Sequence, residues 1–308
     1  MKKSIKKIYR QLTRTDREER HTLMHLQAKR LANENYVRGG GVKSLKEVEF
    51  KVYSQWGEDG IIQYLIQILP ILNKTFIEFG VQDYTEANTR FLLEADNWSG
   101  MIMDGSKENM DTVRREDIYW RYDLNAVPVF ITRENINTLL LKSGFDRDLG
   151  ILSIDIDGND YWVWKEINVM QPRIIICEYN PIFGKKEEVT TIYKADFDRT
   201  REHYSNLLFG ASLQALISLG KEKGYTFIGT CSNAANAFFV RNDLIKYLPK
   251  ELLIDQPWYE HKSRQARDEK GNLLFLTHEE EWELIQDCTI WDIKNRCEKK
   301  VREIERNG

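Results

Sequence analysis

The residues of this chain that can do chemistry are acids that end apolar runs. Glu78 and Gly80 close the run T-F-I-E-F-G, and Asp104 closes G-M-I-M-D after an intervening helix-like stretch through Phe91, Leu92 and Ala95. Further along, L-S-I-D-I-D-G-N-D places Asp155, Asp157 and Asp160 at the end of another run, and I-I-I-C-E ends in Glu178. An acid at a strand tip can accept both hydroxyls of a ribose, and a glycine beside it lets the backbone come close to a ligand. Two acids on successive strands joined by a helix therefore have the layout of a βαβ unit that binds an adenosine-type ligand at its strand tips.

The second group raises an electrostatic question. Neighbouring strands lie about 4.8 Å apart, so Asp155, Asp157, Asp160 and Glu178 are expected to converge. Two like charges ~4 Å apart repel by about 4 kcal/mol at the effective dielectric of a protein surface. Such a cluster needs a cation, a shared proton or generous hydration. Asp155, Asp157 and Glu178 are a candidate ligand set for a hard divalent ion such as Mg²⁺ or Mn²⁺, which would also ease deprotonation of an attacking alcohol. The opposing reading has one or two of these acids capping the helix at Tyr161 and facing water, and the sequence leaves both open. Asp157 and Asp160 are the candidate general bases, with His203 in a polar segment ranked below them.

Two other motifs overlap the same stretch. Asp155-x-Asp157-x-Asn159 with Glu166 at the twelfth place partly mimics a calcium-binding EF-hand loop. Asp160 stands where that loop requires glycine, and the preceding run is strand-like, which excludes it. Apolar-apolar-Asp-x-Asp-Gly-Asn also resembles the nucleophile strand of haloacid-dehalogenase-type phosphatases, with Asp155 attacking phosphorus and Asp157 as acid/base. That reading leaves Glu78 and Asp104 unexplained.

The elements that must position these acids follow from periodicity. Residues 1–36 read as helix, with ten Lys/Arg against three acids in residues 1–30. This basic amphipathic arm reads first as a packing or dimerising helix, rather than one lying on an anionic membrane. Arg38-Gly39-Gly40-Gly41 is a flexible break. Ser54 to Gly60 precedes a helix over Ile61–Ile71 and reads as capping, although Gln55 can also reach a ligand above the next strand. Ile118–Tyr122, closing in Asp123, is expected to be the third strand. The apolar run before Glu178 implies burial on both faces. Residues 182–209 are polar and suit a substrate-side loop, and the Gly210-Ala211-Ser212 turn is a further candidate for the pocket wall. A helix over Ser212–Lys223 leads to two short strands, Tyr225–Cys231 and Ala237–Arg241, forming an antiparallel hairpin. Glu279–Arg306 reads as a long helix whose Trp282, Ile285, Cys288, Cys297, Val301 and Ile304 form an apolar stripe. The expected organisation is a helical arm and linker at 1–45, a catalytic domain at 46–245 and a helical extension at 246–308.

At 308 residues the chain can bury a substantial core, and a net charge of −3 gives no general attraction to nucleic acid. Cys177, Cys231, Cys288 and Cys297 are scattered without a C-x-x-C pair and read as reduced residues of core or helix. The apolar stretch from Ile61 to Leu72 is too short and too polar to span a bilayer, and no apolar signal region follows the first lysines. A cytoplasmic protein is expected.

F-I-E-F-G-V-Q-D-Y-x-x-x-N-T, M-D-G-S, L-S-I-D-I-D-G-N-D-Y-W-V-W, E-Y-N, G-A-S-L-x-A-L and N-A-F-F-V-R, in that order over roughly residues 50–245, resemble the FkbM-type S-adenosylmethionine-dependent methyltransferases. The resemblance implies an α/β class I methyltransferase (Rossmann-like) fold, a mostly parallel seven-stranded sheet with an antiparallel last strand. It implies methyl transfer to an oxygen of a sugar-like or other small hydroxylated acceptor, from surface-polysaccharide or secondary-metabolite pathways. By position, Glu78 and Gly80 would border the methionine half of S-adenosylmethionine, and Gln55, Asp83, Asn88 and Thr89 are further candidate cofactor-binding residues. Asp104 would hold the ribose with Gly105 and Ser106 beside it, Asp123 would lie near the adenine, and Asp155 would face the methyl donor. The chain departs from the pattern in the first turn. Gln82 and Tyr84 stand where relatives often have glycine, so a strained turn is expected there. An inactive methyltransferase-like interaction module is the non-enzymatic alternative, supported by these two residues, the basic arm and the aromatic tail.

Overall fold

The computed structural model describes residues 2–38, 42–254, 256–262 and 265–305, with side chains from residue 19 onward. The glycines of the expected linker, Gly39 to Gly41, lie outside the described residues, as do the side chains of most of the basic arm. Helix α1 (Lys2–Arg38) is followed by α2 (Glu58–Ile68), and then strands and helices alternate: β1 (Thr75–Phe79), α3 (Arg90–Asp96), β2 (Ser99–Asp104), α4 (Lys107–Val113), α5 (Asp117–Arg121), β3 (Leu124–Pro128), α6 (Ile136–Lys142), β4 (Ile151–Ile154), α7 (Asp160–Glu166) and β5 (Ile174–Glu178). After β5 come β6 (Val189–Thr190), α8 (Arg199–Glu202), α9 (Leu213–Glu222), β7 (Tyr225–Thr230), β8 (Asn236–Arg241), α10 (His278–Ile285), β9 (Thr289–Asp292) and β10 (Cys297–Lys300).

Among the described residues the main sheet has seven strands in the order β3-β2-β1-β4-β5-β8-β7. The first five are mutually parallel, and β8 runs antiparallel to both β5 and β7. This is the class I methyltransferase arrangement. Its central strands are apolar on both faces because helices cover both. Phe76 of β1 joins Ile61, Leu65, Leu92 and Met110 on one side, while Ile77 and Phe79 join Ile136, Leu140, Trp164 and Leu216 on the other. The strand order reverses between β1 and β4, and in open sheets of this kind a crevice forms at that switch point beyond the carboxyl ends of the strands.

Two segments differ from expectation. Residues 117–121 are a helix, braced by an Asp117–Arg121 ion pair one turn apart at 3.2 Å, and the third strand begins only at Leu124. A five-residue apolar-aromatic run does not separate helix from strand by its period, and the edge strand declares itself by the alternation of buried Leu124, exposed Asn125 and buried Ala126. The tail is not a long helix. Thr277 and Glu280 form a reciprocal capping box that starts α10, which ends after eight residues. The chain then forms the β9–β10 hairpin, turned by the Asp292 carboxylate accepting from the Asn295 N–H at 2.8 Å and from its side-chain amide. β9 also pairs with β6. Residues 182–209 and the tail therefore share a three-stranded sheet, so the boundary expected at 245 does not separate them. Trp282, Ile285, Val301 and Ile304 do converge, but around their own small core with Ile182, Phe183 and Leu207.

The arm behaves as the packing helix expected. Ala28 and Ala32 are buried, His25 Nε2 hydrogen-bonds the Tyr53 hydroxyl at 2.8 Å, and Lys29 donates to Gln63 and pairs with Asp96. The described residues contain four free cysteines, with Cys177 and Cys231 in the core, Cys288 partly buried and Cys297 exposed on β10. No helix among the described residues is long and apolar enough to cross a membrane.

Candidate active site

The crevice at the switch point is built from the β1 tip outward. Gly80 takes φ +69° and donates its N–H to Met103 O at 2.9 Å, which ties the tips of β1 and β2 together. A Cβ on Gly80 would lie 1.6 Å from Asp155 O, so the glycine is required by the close approach of β4. The chain then turns through Gln82 (φ +49°) and Tyr84 (φ +62°). These are the left-handed conformations that glycine would adopt without steric cost. Tyr84 turns inward, buried, with its hydroxyl 3.0 Å from Thr89 Oγ1, while Gln82 is exposed. The tyrosine thus leaves the crevice clear.

Glu78 closes the turn from below. Its carboxylate accepts from the Asn88 N–H at 2.8 Å, the Thr89 N–H at 3.0 Å and the Thr89 hydroxyl. Burial nonetheless pushes its pKa up to about 7, against the pull of those donors. At the β2 tip, Asp104 accepts from the Gln82 N–H at 2.8 Å and the Ser106 N–H at 2.7 Å. Ser106 in turn caps α4 by accepting from the Asn109 N–H at 3.2 Å. Asp104 is thereby fixed in orientation; its Oδ1 also accepts from the Asn109 side-chain amide at 3.4 Å, whereas Oδ2, with the Gln82 N–H as donor, keeps a further lone-pair site for a ligand.

Two cavities meet here. One, of about 150 Å³, has Gly80, Gln82, Asp104, Gly105, Asp155 and Asp157 in its wall, with Val129, Phe130 and Ile131 as its apolar side. The other, of about 230 Å³, is bounded by Gln55, Glu78, Asp83, Asn88 and Asn236, and shares Gly80, Gln82 and Asp155 with the first. Two buried side-chain oxygens at the walls, Asn159 Oδ1 and Asn236 Oδ1, have no hydrogen-bond partner within the protein, as expected of positions that meet a ligand or water.

A scan against protein-family models finds no match, and a search of curated proteins finds none either. Among solved structures the chain is similar to the N-terminal domain of EvdMO1 with SAH bound, at 10% identity over 71% of this chain and 94% of that one, with a TM-score of 0.40. It is also similar to the O-methyltransferase from Bacillus cereus in complex with SAH, at 12% identity over 69% and 88% of the two chains and a TM-score of 0.37. An S-adenosylmethionine-dependent methyltransferase from Clostridium acetobutylicum gives 9% identity over 60% and 90%, again with a TM-score of 0.37. The fold assignment rests on strand order and direction, not on these likenesses.

The acids beyond β4 and β5 divide sharply. Asp160 is fully buried at the start of α7, its two oxygens accepting from the Ile156 N–H at 2.8 Å and the Gly158 N–H at 2.9 Å. It braces the strand-to-helix turn, and this removes it from the candidate bases. Asp155, Asp157 and Glu178, by contrast, present carboxylate oxygens within 4.8 Å of one another. Burial, then the charges of Asp157 and Asp160, push the Asp155 pKa well above the carboxylate range, with hydrogen bonding to Glu178 opposing the rise. Glu178 is pushed up as well, by burial and then by Asp155, and its Oε2 has no hydrogen-bond partner. Asp157 is exposed, at φ +57°, and its Oδ1 takes the Arg199 guanidinium at 2.6 Å. Arg199 lies with its guanidinium carbon 3.7 Å from the centre of the Phe209 ring, where ring stacking holds it.

Several expected site residues lie elsewhere. Asp123 precedes β3, and its carbonyl accepts from the Gly100 N–H at 2.9 Å at the start of β2. It sits at the opposite end of the sheet from Asp104 because α5 occupies the residues expected to form the strand. Val129 to Ile131, past the carboxyl end of β3, are on the crevice instead. Thr89 and Ser106 stand behind the wall as partners of Glu78 and Asp104. Ser212 caps α9 by accepting from the Ala215 N–H, and Ala211 bridges to Thr190, so that turn braces β6 and lines neither cavity. His203 bonds Ser205 Oγ at 2.7 Å and is absent from both walls, with burial lowering its pKa. The sequence reading missed Arg199, Phe130, Phe197, Asn159 and Asn236. Two of them had a signal: Asn159 lies within the D-I-D-G-N-D stretch, and Asn236 is the first residue of the N-A-F-F-V-R motif, opposite Glu178 in register.

Proposed function

We propose that this protein is an S-adenosylmethionine-dependent O-methyltransferase acting on a small hydroxylated, sugar-like acceptor. The observation that carries this reading is the pair of cavities meeting at Gly80, Gln82 and Asp155 with the Asp104 carboxylate in one wall. When bound, the cofactor supplies an electrophilic methyl group on a positively charged sulfur. Asp104 would accept the ribose hydroxyls, Phe130 and Val129 would cover the adenine, and Gln55, Asp83 and Asn236 would meet the amino-acid end. Asp155, common to both cavities, would hold a negative charge close to the sulfonium, which would add a second cation to the Arg199 guanidinium already beside the clustered acids. Asp157, exposed beside it, is the candidate to take the acceptor's proton. Holding the acceptor in line is expected to supply most of the rate.

A metal-assisted form of the same reading rests on Asp155, Asp157 and Glu178, three hard oxygen donors that suit Mg²⁺ or Mn²⁺. Arg199 already answers the charge of Asp157, so an ion there would compete with it. The phosphatase alternative would use Asp155 as nucleophile and leaves Glu78 and Asp104 without a role.

Calorimetric titration with S-adenosylhomocysteine tests the first claim, and methyl transfer to a panel of free and nucleotide-linked sugars tests the second. Loss of transfer in EDTA, restored by Mg²⁺ or Mn²⁺, would assign the metal. Failure to bind S-adenosylhomocysteine, or phosphate release from an aryl phosphate without any methyl donor, would overturn the reading.

A further inference from the structure

We propose a zinc-class metal site in the C-terminal unit, away from the crevice, formed by His261, His278 and Glu281. One donor atom from each lies within 4.8 Å of the others. His278 and Glu281 are three residues apart on α10 and so share a face, while His261 comes from the segment that precedes it. His261 Nε2 is 3.2 Å from Glu281 Oε1 and 3.1 Å from Oε2. Two donors each 2.0–2.1 Å from a tetrahedral zinc stand about 3.3 Å apart, so this spacing is already that of a shared ion.

An ordinary histidine–glutamate pair explains less of what is seen. The side chains of His261 and Glu281 are 6% and 5% exposed, so both are almost wholly desolvated. His261 Nδ1 is buried without a hydrogen-bond partner, so the ring meets this cluster through the Nε2 that faces Glu281. The His278 ring stands edge-on to His261 with centroids 6.2 Å apart and brings a second imidazole to the same point. Two imidazoles and one carboxylate suit Zn²⁺ better than Mg²⁺ or Ca²⁺, which prefer all-oxygen sets. His278 also lines a cavity of about 270 Å³ with Trp258, Trp282 and Phe183, which leaves room for a water as fourth ligand. The site would staple the irregular 256–262 segment to α10, beside a small separate core.

The test uses the untagged full chain, stripped with EDTA, equilibrated with Zn²⁺ and freed of excess by gel filtration. One zinc per chain by elemental analysis and a raised melting temperature are expected, together with the intense visible bands of four-coordinate cobalt when Co²⁺ replaces zinc. His278→Asn and Glu281→Gln should each weaken zinc binding by more than about tenfold, since losing even an outer-shell partner costs that much. Circular dichroism verifies the fold of each variant, and Asp157→Asn should leave zinc binding unchanged. No retained zinc, zinc affinity in His278→Asn and Glu281→Gln equal to that of the unsubstituted chain, or loss of the ion in Asp157→Asn would overturn the proposal.

Discussion

The two halves of the sheet rim use the same residue type in opposite ways. At the β1 and β2 tips, Glu78 and Asp104 stand apart and each receives backbone N–H donors. At the β4 and β5 tips, Asp155, Asp157 and Glu178 face one another, and Arg199 is the cation paired with Asp157. Asp160 belongs by sequence to the second group and by bonding to the first. An acid whose oxygens are committed to amides shapes the wall of a site. An acid left facing other acids stores electrostatic strain that a cationic ligand relieves, and that is where reactivity is expected.

The widest separation between the two kinds of acid should appear at neighbouring positions of one motif. Asp155→Asn keeps the volume and removes the charge, so methyl transfer is expected to fall by about 10²–10³-fold, or roughly 3–4 kcal/mol in the transition state, with an unchanged circular dichroism spectrum. Full activity in that variant would dissolve the contrast.

Glu78 predicts a pH effect of comparable size on stability. Its carboxyl is pushed up to about 7 in the folded protein from an ordinary value of 4.5. The folded state therefore binds more protons than the unfolded state between these values, and stability must fall as pH rises through that window. The full loss is on the order of 3 kcal/mol by pH 8. Glu78→Gln should flatten that part of the profile in denaturant titrations at pH 5 and pH 8, and an unaltered slope would assign the effect to other buried acids. Asp160→Ala should cost about 2–3 kcal/mol of stability by leaving the Ile156 and Gly158 amides unpaired, measured as a drop in denaturation midpoint. Smaller again is Asp104→Ala, expected to weaken S-adenosylhomocysteine by about 10- to 30-fold, the value of charge-assisted hydrogen bonds to a ribose. Unchanged affinity by calorimetry would remove Asp104 from the site.

These contrasts also mark what the sequence could tell. The parallel strands were legible because runs such as I-I-I-C-E are apolar on both faces, and their terminal acids located the rim. The terminal hairpin was legible because two β-rich runs flank a short polar turn. The third strand was not, since I-Y-W-R-Y satisfies helix and strand alike, and the error carried Asp123 to the wrong end of the sheet. Nor was the split between Asp155 and Asp160 legible, because it depends on which backbone amides turn toward each carboxylate. Arg199 was out of reach for another reason. It arrives 42 residues after its partner from a polar segment with no periodicity.

The first turn offers the finest adjustment of the comparison. Gln82 and Tyr84 both adopt left-handed backbone conformations, but only Tyr84 is buried, bonded to Thr89 and covered by the Arg90 guanidinium, which also donates to its carbonyl. The tyrosine therefore offsets its backbone strain with core packing, whereas the exposed Gln82 side chain does not. Gln82→Gly should relieve steric strain of about 1 kcal/mol and lose part of that gain to the greater freedom of glycine in the unfolded chain. A net stabilisation of about 0.5 kcal/mol is expected in chemical denaturation. Because the Gln82 N–H still donates to Asp104, affinity for S-adenosylhomocysteine should hold within about twofold. A destabilised Gln82→Gly variant would mean that the glutamine side chain itself supports the turn, and the β1–β2 rim would then depend on more than amides held by carboxylates.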